Sequence, residues 1–355
     1  MLHSEGNGFD AIGKAIAERD ADSFCRSILP EVSRTFALGI KVLRGDLGQA
    51  VLDAYLLCRI ADTIEDAPDM PPSEKAALLD DFSAAIDDAR SLQRLMGSVQ
   101  RLSGDRAHLV LARNGDLVFA HFAKLPESTR NIVAEWVREM ARGMRKFVLL
   151  YPAGIRIQTL EEYREYCYYV AGTVGYMLTD LWREHAPGID GRQHEQLRGK
   201  CREFAEALQT VNILKDVAAD VEKENSIYIP EEMLRANGTA HARILDASLL
   251  KQNRQALAQL IELAWLDLDE ARQYIGLLPR RAVSIRMFCL LPLLLAYATL
   301  RDLSNSDAML QPGGGVRISR KEVKALLTAG SLVVLSNTGI RRLVERVRRG
   351  PYLLW

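Results

Sequence analysis

YLLCRIADTIED at residues 55–66 and LQTVNILKDVAAD at 208–220 decide how this chain folds. Each stretch sets two aspartates four residues apart, Asp62 with Asp66 and Asp216 with Asp220. On a helix, such a pair shares one face. Tracing backwards, Tyr55, Arg59, Asp62 and Asp66 follow i, i+4, i+7, i+11. Gln209, Asn212, Asp216 and Asp220 follow i, i+3, i+7, i+11. The positions between them are mostly Ala, Val, Leu, Ile and Cys. Acids in apolar surroundings must be paired or bound to a cation. A solvated face or a buried ion network accounts for a lone DxxxD. Two matched stripes that also carry amide, tyrosine and arginine companions fit a site for Mg²⁺, and through it a diphosphate.

That chemistry is the ionisation of an allylic diphosphate, a poor leaving group until its charge is neutralised. Acids on two helices would hold the metal, and Arg59 and Lys215 would meet phosphate oxygens directly. The resulting carbocation needs a dry cavity lined by aromatic faces.

The rest of the chain agrees with a helical protein. Strand patterns are nearly absent, and helical periodicity recurs throughout. Ser73 after Pro71-Pro72 reads as a helix start. Pro126-Glu127-Ser128 opens a helix to about Leu150, closed by Tyr151-Pro152. A third begins at Thr159 and continues to about His185. Others fit 192–220, 247–277 and 280–303, and Pro230-Glu231-Glu232 begins a short one that Asn237-Gly238 stops. Gln311-Pro312-Gly313-Gly314-Gly315 reads as a flexible stretch before a basic segment. No linker divides the chain, so the reading is one all-α domain over 1–355, a bundle around a central apolar cavity with its core at about 22–325.

Composition narrows the partners. The 355 residues are 48% hydrophobic, and 46 basic side chains balance 46 acidic ones, which disfavours nucleic acid. Five cysteines without CxxC fit a reducing compartment. The six histidines are scattered with no HxxxH, which argues against zinc. The polar N-terminus does not read as a signal sequence, and the apolar run Phe288 to Leu300 is short for a membrane span. A cytoplasmic protein is expected. The basic amphipathic stretch at about 337–349 either rests on an anionic membrane or packs on the bundle. The sequence sets no oligomeric state.

With SRTFAL (33–38), YCYYVAGTVGYM (166–177) and the continuation to Pro230 added, the chain resembles the squalene and phytoene synthase family of head-to-head prenyl synthases. The resemblance implies the isoprenoid synthase fold and the joining of two prenyl diphosphates through a cyclopropyl diphosphate. It implies Asp62, Asp66, Asp216 and Asp220 as ligands of Mg²⁺ or Mn²⁺, assisted by Glu65 and Asn212. Arg34, Tyr55, Arg59 and Gln209 would hold substrate, and Tyr169 would serve proton removal and cation stabilisation. Phe36 and Phe288 are candidate cavity aromatics, although either residue alone reads as core. One departure is Lys215 where the family motif carries arginine; it keeps the charge but loses the bidentate fork.

RMFCLLPLLLAYATLRDL (286–303) followed by VRISRKEV (316–323) resembles the squalene synthase branch. That implies farnesyl diphosphate as substrate and NADPH as reductant, with Arg317, Arg320 and Lys321 meeting its phosphates. A surface loop before a basic helix is the plainer reading of the same residues. Alternatives within the family stop at presqualene diphosphate or make dehydrosqualene or phytoene. A non-catalytic assembly factor is the alternative outside enzymology.

Overall fold

The computed structural model describes residues 3–353, apart from the side chains of residues 3–7 and 34–35. Among these residues there is no strand, only one isolated parallel bridge between Arg156 and Ile227. The chain forms two compact units, Met1–Pro152 and Ala153–Trp355.

The first unit contains α1 (His3–Ala17), α2 (Ala21–Val32), α3 (Arg34–Ile40), α4 (Gly45–Glu65), α5 (Pro72–Ala85), α6 (Ala89–Ser98), α7 (Arg106–Arg113), α8 (Gly115–Phe122) and α9 (Glu127–Leu150). Their starts follow local chemistry. Asp20, Asp88 and Asp105 accept from the backbone N–H of Ser23, Ser91 and Ala107, at 3.1, 2.7 and 2.9 Å, satisfying donors that helix geometry leaves orphaned. The expected start at Ser73 moves back one residue. Pro72 is the first helical position and Pro71 precedes it without a side-chain cap, because proline's fixed φ suits the first turn. The central helix is α4, which buries Leu52, Leu56, Leu57, Ile60 and Ile64 against its neighbours α2, α8 and α9.

The second unit contains α10 (Leu160–Cys167), a π-turn (Tyr168–Gly172), α11 (Thr173–His185), α12 (Gly191–Lys223), α13 (Glu231–Ala236), α14 (Leu250–Leu277), α15 (Val283–Ser304), α16 (Arg320–Val333) and α17 (Asn337–Arg349). Thr159 caps α10 through Glu162 N at 3.1 Å, as its sequence position implies. The single helix expected over 159–185 is instead interrupted by the π-turn. Thr173 Oγ1 donates to the Tyr169 carbonyl there at 2.7 Å. The long pair α12 and α14 forms the frame. Buried tyrosine hydroxyls fasten other helices to it: Tyr163 to Thr210 at 2.9 Å, Tyr274 to Thr179 at 2.8 Å and Tyr297 to Leu268 O at 2.8 Å. Gly175 lets α11 approach α12 so closely that a methyl group there would run into the Cys201 carbonyl.

Helix α15 is the core helix of this unit. At 22 residues it is long and apolar enough to cross a membrane by length and composition, and 61% of its apolar 18-residue stretch is buried inside the protein. Arg286 near its start is wholly buried. Its guanidinium donates to the carbonyls of Ile275, Leu278 and Val334 at 2.7–2.8 Å and to Asn337 Oδ1 at 2.7 Å. A cation placed on carbonyls at helix C-termini is electrostatically favoured. Ile340, Leu343, Val344 and Val347 give α17 a buried face against α15 and α16, so the amphipathic tail packs on the bundle and turns Arg341, Arg342, Arg346 and Arg349 outward.

Candidate active site

In the first unit, α4 carries Tyr55, Arg59 and Asp62 along one half-buried edge. The helix ends at Glu65, and Asp66 is its exposed C-cap, still in helical register because its N–H donates to the Asp62 carbonyl at 2.8 Å. Arg59 binds Asp62 at 3.2 Å and donates to the Tyr55 hydroxyl at 3.2 Å; the Tyr55 ring lies 5.6 Å from that of Phe36. Burial pushes the Asp62 carboxyl above its usual range, with Arg59 and His108 opposing. Burial also works against the Arg59 charge, but Asp62 and Tyr55 outweigh it and hold the guanidinium ionised. His108 of α7 is a neighbour that the sequence does not announce; burial and Arg59 keep it low, favouring the neutral ring. Glu65 is buried and off the stripe. Arg34 has its side chain outside the described residues.

In the second unit, the stripe on α12 runs along the margin of that unit's core. Ala207, Val211, Leu214 and Ala218 are buried, whereas Gln209, Asp216 and Asp220 are half-buried and Asn212 is exposed. The Asp216 side chain is 46% exposed and that of Asp62 29%, so both carboxylates keep oxygen open to a ligand. Their apolar sequence neighbours turn to the other side of each helix. Lys215 Nζ lies 3.1 Å from Asp216 and 3.5 Å from Asn212 Oδ1.

The glycine-rich stretch expected to be flexible is held against the same helix. Gly313 N–H donates to both Glu222 carboxylate oxygens at 3.1 and 3.2 Å, and Gly315 comes within van der Waals reach of the Lys215 backbone once a Cβ is drawn on it. Beyond it, Ser319 caps α16 through Glu322 N at 3.1 Å. Arg317, Arg320 and Lys321 are exposed and make no ion pair with another described residue. Cations on a helix's first turn run against its dipole, so they leave anion-binding potential unspent.

Tyr169 sits in the π-turn, a helix irregularity common at functional positions. It lines a cavity of about 960 Å³ in the second unit, with Tyr168, Arg164, Arg202, Glu206 and Asp267 among its walls. Arg202 donates to Glu206 at 2.5 Å. Burial, reinforced by Glu206, lifts Asp267 to about 7. These charged walls are missed by sequence reading; the Arg202/Glu206 spacing of four was the available signal. Phe288 stands apart from this cavity, buried edge-on against Trp182 at 5.7 Å between ring centres.

Both aspartate pairs present hard oxygen donors in i, i+4 register, a set that suits Mg²⁺ or Mn²⁺. Comparison with known proteins identifies the family. The squalene/phytoene synthase family model matches residues 29–322. Squalene synthase 1 of Arabidopsis thaliana is 27% identical over 299 residues, covering 84% of this chain and 68% of the plant protein. The fission-yeast squalene synthase is also 27% identical, and the chain spans 63% of its length. The ligand complex of TcSQS with E5700 superimposes with a TM-score of 0.77 at 22% identity, covering 93% of this chain and 98% of the other. A ligand-bound dehydrosqualene synthase gives 0.50 at 20% identity, with 96% and 98% covered.

Proposed function

This chain belongs to the squalene/phytoene synthase family and has its isoprenoid synthase fold, and from that premise we propose that it is a squalene synthase. Two farnesyl diphosphates condense to presqualene diphosphate, which NADPH reduces to squalene. The observation that carries this reading is the accessible carboxylate on each stripe, Asp62 in the first unit and Asp216 in the second; within the second unit, the exposed basic turn Arg317/Arg320/Lys321 follows a loop held on α12 and adds support.

Asp62, Asp66, Asp216 and Asp220 hold Mg²⁺, with Mn²⁺ as a substitute and Glu65 and Asn212 assisting. When bound, the metal neutralises the diphosphate so that it can leave. Arg59 and Lys215 bind phosphate oxygens, Arg59 being held ready by Tyr55. Arg34 and Gln209 position substrate. Tyr169 serves proton removal and cation stabilisation as the cyclopropane closes. Phe36, tilted against Tyr55, offers a ring face to the cation; Phe288, packed on Trp182 away from the cavity, is the weaker candidate for that role. Arg317, Arg320 and Lys321 would hold the phosphates of NADPH, which would supply the hydride for reduction. Contact with a membrane, the sink for a water-insoluble product, falls to the outward arginines of α17 and to exposed Leu332 and Leu335 before it. The protein works in the cytoplasm or on its membrane face.

The test is product analysis of pure protein given farnesyl diphosphate and Mg²⁺, with and without NADPH. Squalene that forms only with NADPH is the expected result. Phytoene from geranylgeranyl diphosphate, or dehydrosqualene as the end product with NADPH present, overturns it.

A further inference from the structure

Cys25 of α2, Asp53 of α4 and His121 of α8 meet in the core of the first unit; Asp53 shares its helix with the aspartate stripe but is wholly buried, where the stripe is half-buried. Their candidate ligand atoms all lie within 4.8 Å of one another. None is open to solvent: the residues are 0%, 0% and 2% exposed. His121 Nδ1 approaches Asp53 Oδ1 at 2.5 Å, and His121 Nε2 approaches Asp22 Oδ1 at 3.2 Å. Arg26 in turn holds Asp22 at 2.9 and 3.0 Å. The other Asp53 oxygen, Oδ2, has no hydrogen-bond partner at all. A wholly buried carboxylate oxygen without a partner is costly, and a cation satisfies it.

We propose that these three residues form a closed Zn²⁺ site, one helix supplying each ligand. The donor set is sulfur, nitrogen and carboxylate oxygen, which zinc accepts and Mg²⁺ does not. Asp53, offering both oxygens, brings the donor atoms to four, the number structural zinc takes. Asp22 is the outer carboxylate: it accepts from Nε2–H and so leaves the Nδ1 lone pair facing inward. Charge and protons balance. Zn²⁺ displaces the Cys25 thiol proton and the proton shared between Asp53 and His121. Thiolate, carboxylate and neutral imidazole then cancel the metal's two charges, as a solvent-free site requires. Scattered histidines argue against zinc when only sequence neighbours are considered; the packing of α2, α4 and α8 gathers ligands 28 and 68 residues apart, by subtraction of their numbers.

The experiment uses the full chain, expressed with zinc in the medium, passed over a chelating column and assayed by elemental mass spectrometry. Cobalt replacement then reports on sulfur ligation through the thiolate-to-metal absorption. One equivalent of zinc and a cobalt–thiolate band are expected, and Zn²⁺ added to the metal-stripped protein should raise the melting temperature further in buffer already saturated with Mg²⁺. Cys25→Ser should abolish the band. Asp22→Asn, which leaves all three ligands in place, should weaken zinc affinity by about 10–100-fold. Circular dichroism checks that both variants are folded; should Cys25→Ser not fold, the wild-type band and the Asp22→Asn affinity decide. Folded wild-type protein that takes up no zinc, or a band that survives Cys25→Ser, overturns the proposal. Neither result bears on the diphosphate reading, which the product assay judges separately.

Discussion

Replacing Arg301 by methionine should destabilise the second unit by about 3–5 kcal/mol. The Arg301 and Glu322 side chains are 6% and 3% exposed, and they pair through two hydrogen bonds of 2.8 and 3.1 Å. Arg301 also donates to Asp302 at 2.8 Å and to the Val347 carbonyl at 3.2 Å, while Glu322 accepts from Tyr352 N at 2.9 Å. The pair therefore ties α15 to α16, to the last turn of α17 and to the residues that follow it. Arg301→Met leaves the Glu322 carboxylate buried with one backbone donor, which is the expensive half of the break. Glu322→Leu should cost less, about 2 kcal/mol, because the guanidinium keeps Asp302 and Val347. Arg301→Met with Glu322→Leu removes both charges, and stability should return to within about 1 kcal/mol of wild type. Guanidinium denaturation followed by far-UV circular dichroism measures all four proteins. An Arg301→Met cost below about 1 kcal/mol would mean the pair is screened like a surface bridge, and the burial argument fails. A double variant no more stable than Arg301→Met would refute the charge argument just as directly. Because Glu322 adjoins Arg320 and Lys321, Arg301→Met should also raise the KM for NADPH more than that for farnesyl diphosphate.

Three further outcomes are expected. Asp62→Asn and Asp216→Asn should each lower turnover by at least about a hundredfold with unchanged circular dichroism; wild-type-like rates in both would remove the metal assignment. Gly175→Ala should cost about 1–3 kcal/mol and lower Tm, since the added methyl meets the Cys201 backbone rather than a movable side chain; an unchanged Tm would show that α11 shifts freely. Asp267 titrates at about 7 in the folded protein, where burial raises it, against about 4 unfolded. The unfolded chain therefore loses this proton first, so wild-type stability should fall as pH rises from 4 to 7 and then level. Asp267→Asn should remove that decline, on the order of 2 kcal/mol once solvent at the cavity is allowed for; parallel stability–pH curves for the two proteins would refute it.

What was legible in the chain was whatever rests on neighbours along a helix. Pro126 and Tyr151-Pro152 bracket α9 to the residue, and the spacing of Ile340, Leu343, Val344 and Val347 shows the face that α17 buries. The register of Asp62 with Asp66 and of Asp216 with Asp220 follows from the same rule. Illegible features depend on partners distant in the chain. Arg286, Arg301 and Glu322 look like surface charges until the carbonyls and counter-ion that receive them are in place. Cys25, Asp53 and His121 share no spacing pattern. The apolar company of the aspartates misled in one respect: it lines the opposite side of each helix and leaves the carboxylates on an open margin.

The π-turn at 168–172 has a consequence for how this segment tolerates change. An inserted residue in a helix shifts the phase of everything after it by about 100°. At the start of the π-turn, Tyr168 and Tyr169 reach the cavity; beyond it, Gly175 meets the Cys201 carbonyl. A continuous α-helix would serve one of these contacts and swing the other away. Deleting a single residue between Tyr168 and Gly172 would therefore act as a rotation, exchanging tyrosine placement for helix docking, where any point substitution at the same positions keeps both in phase.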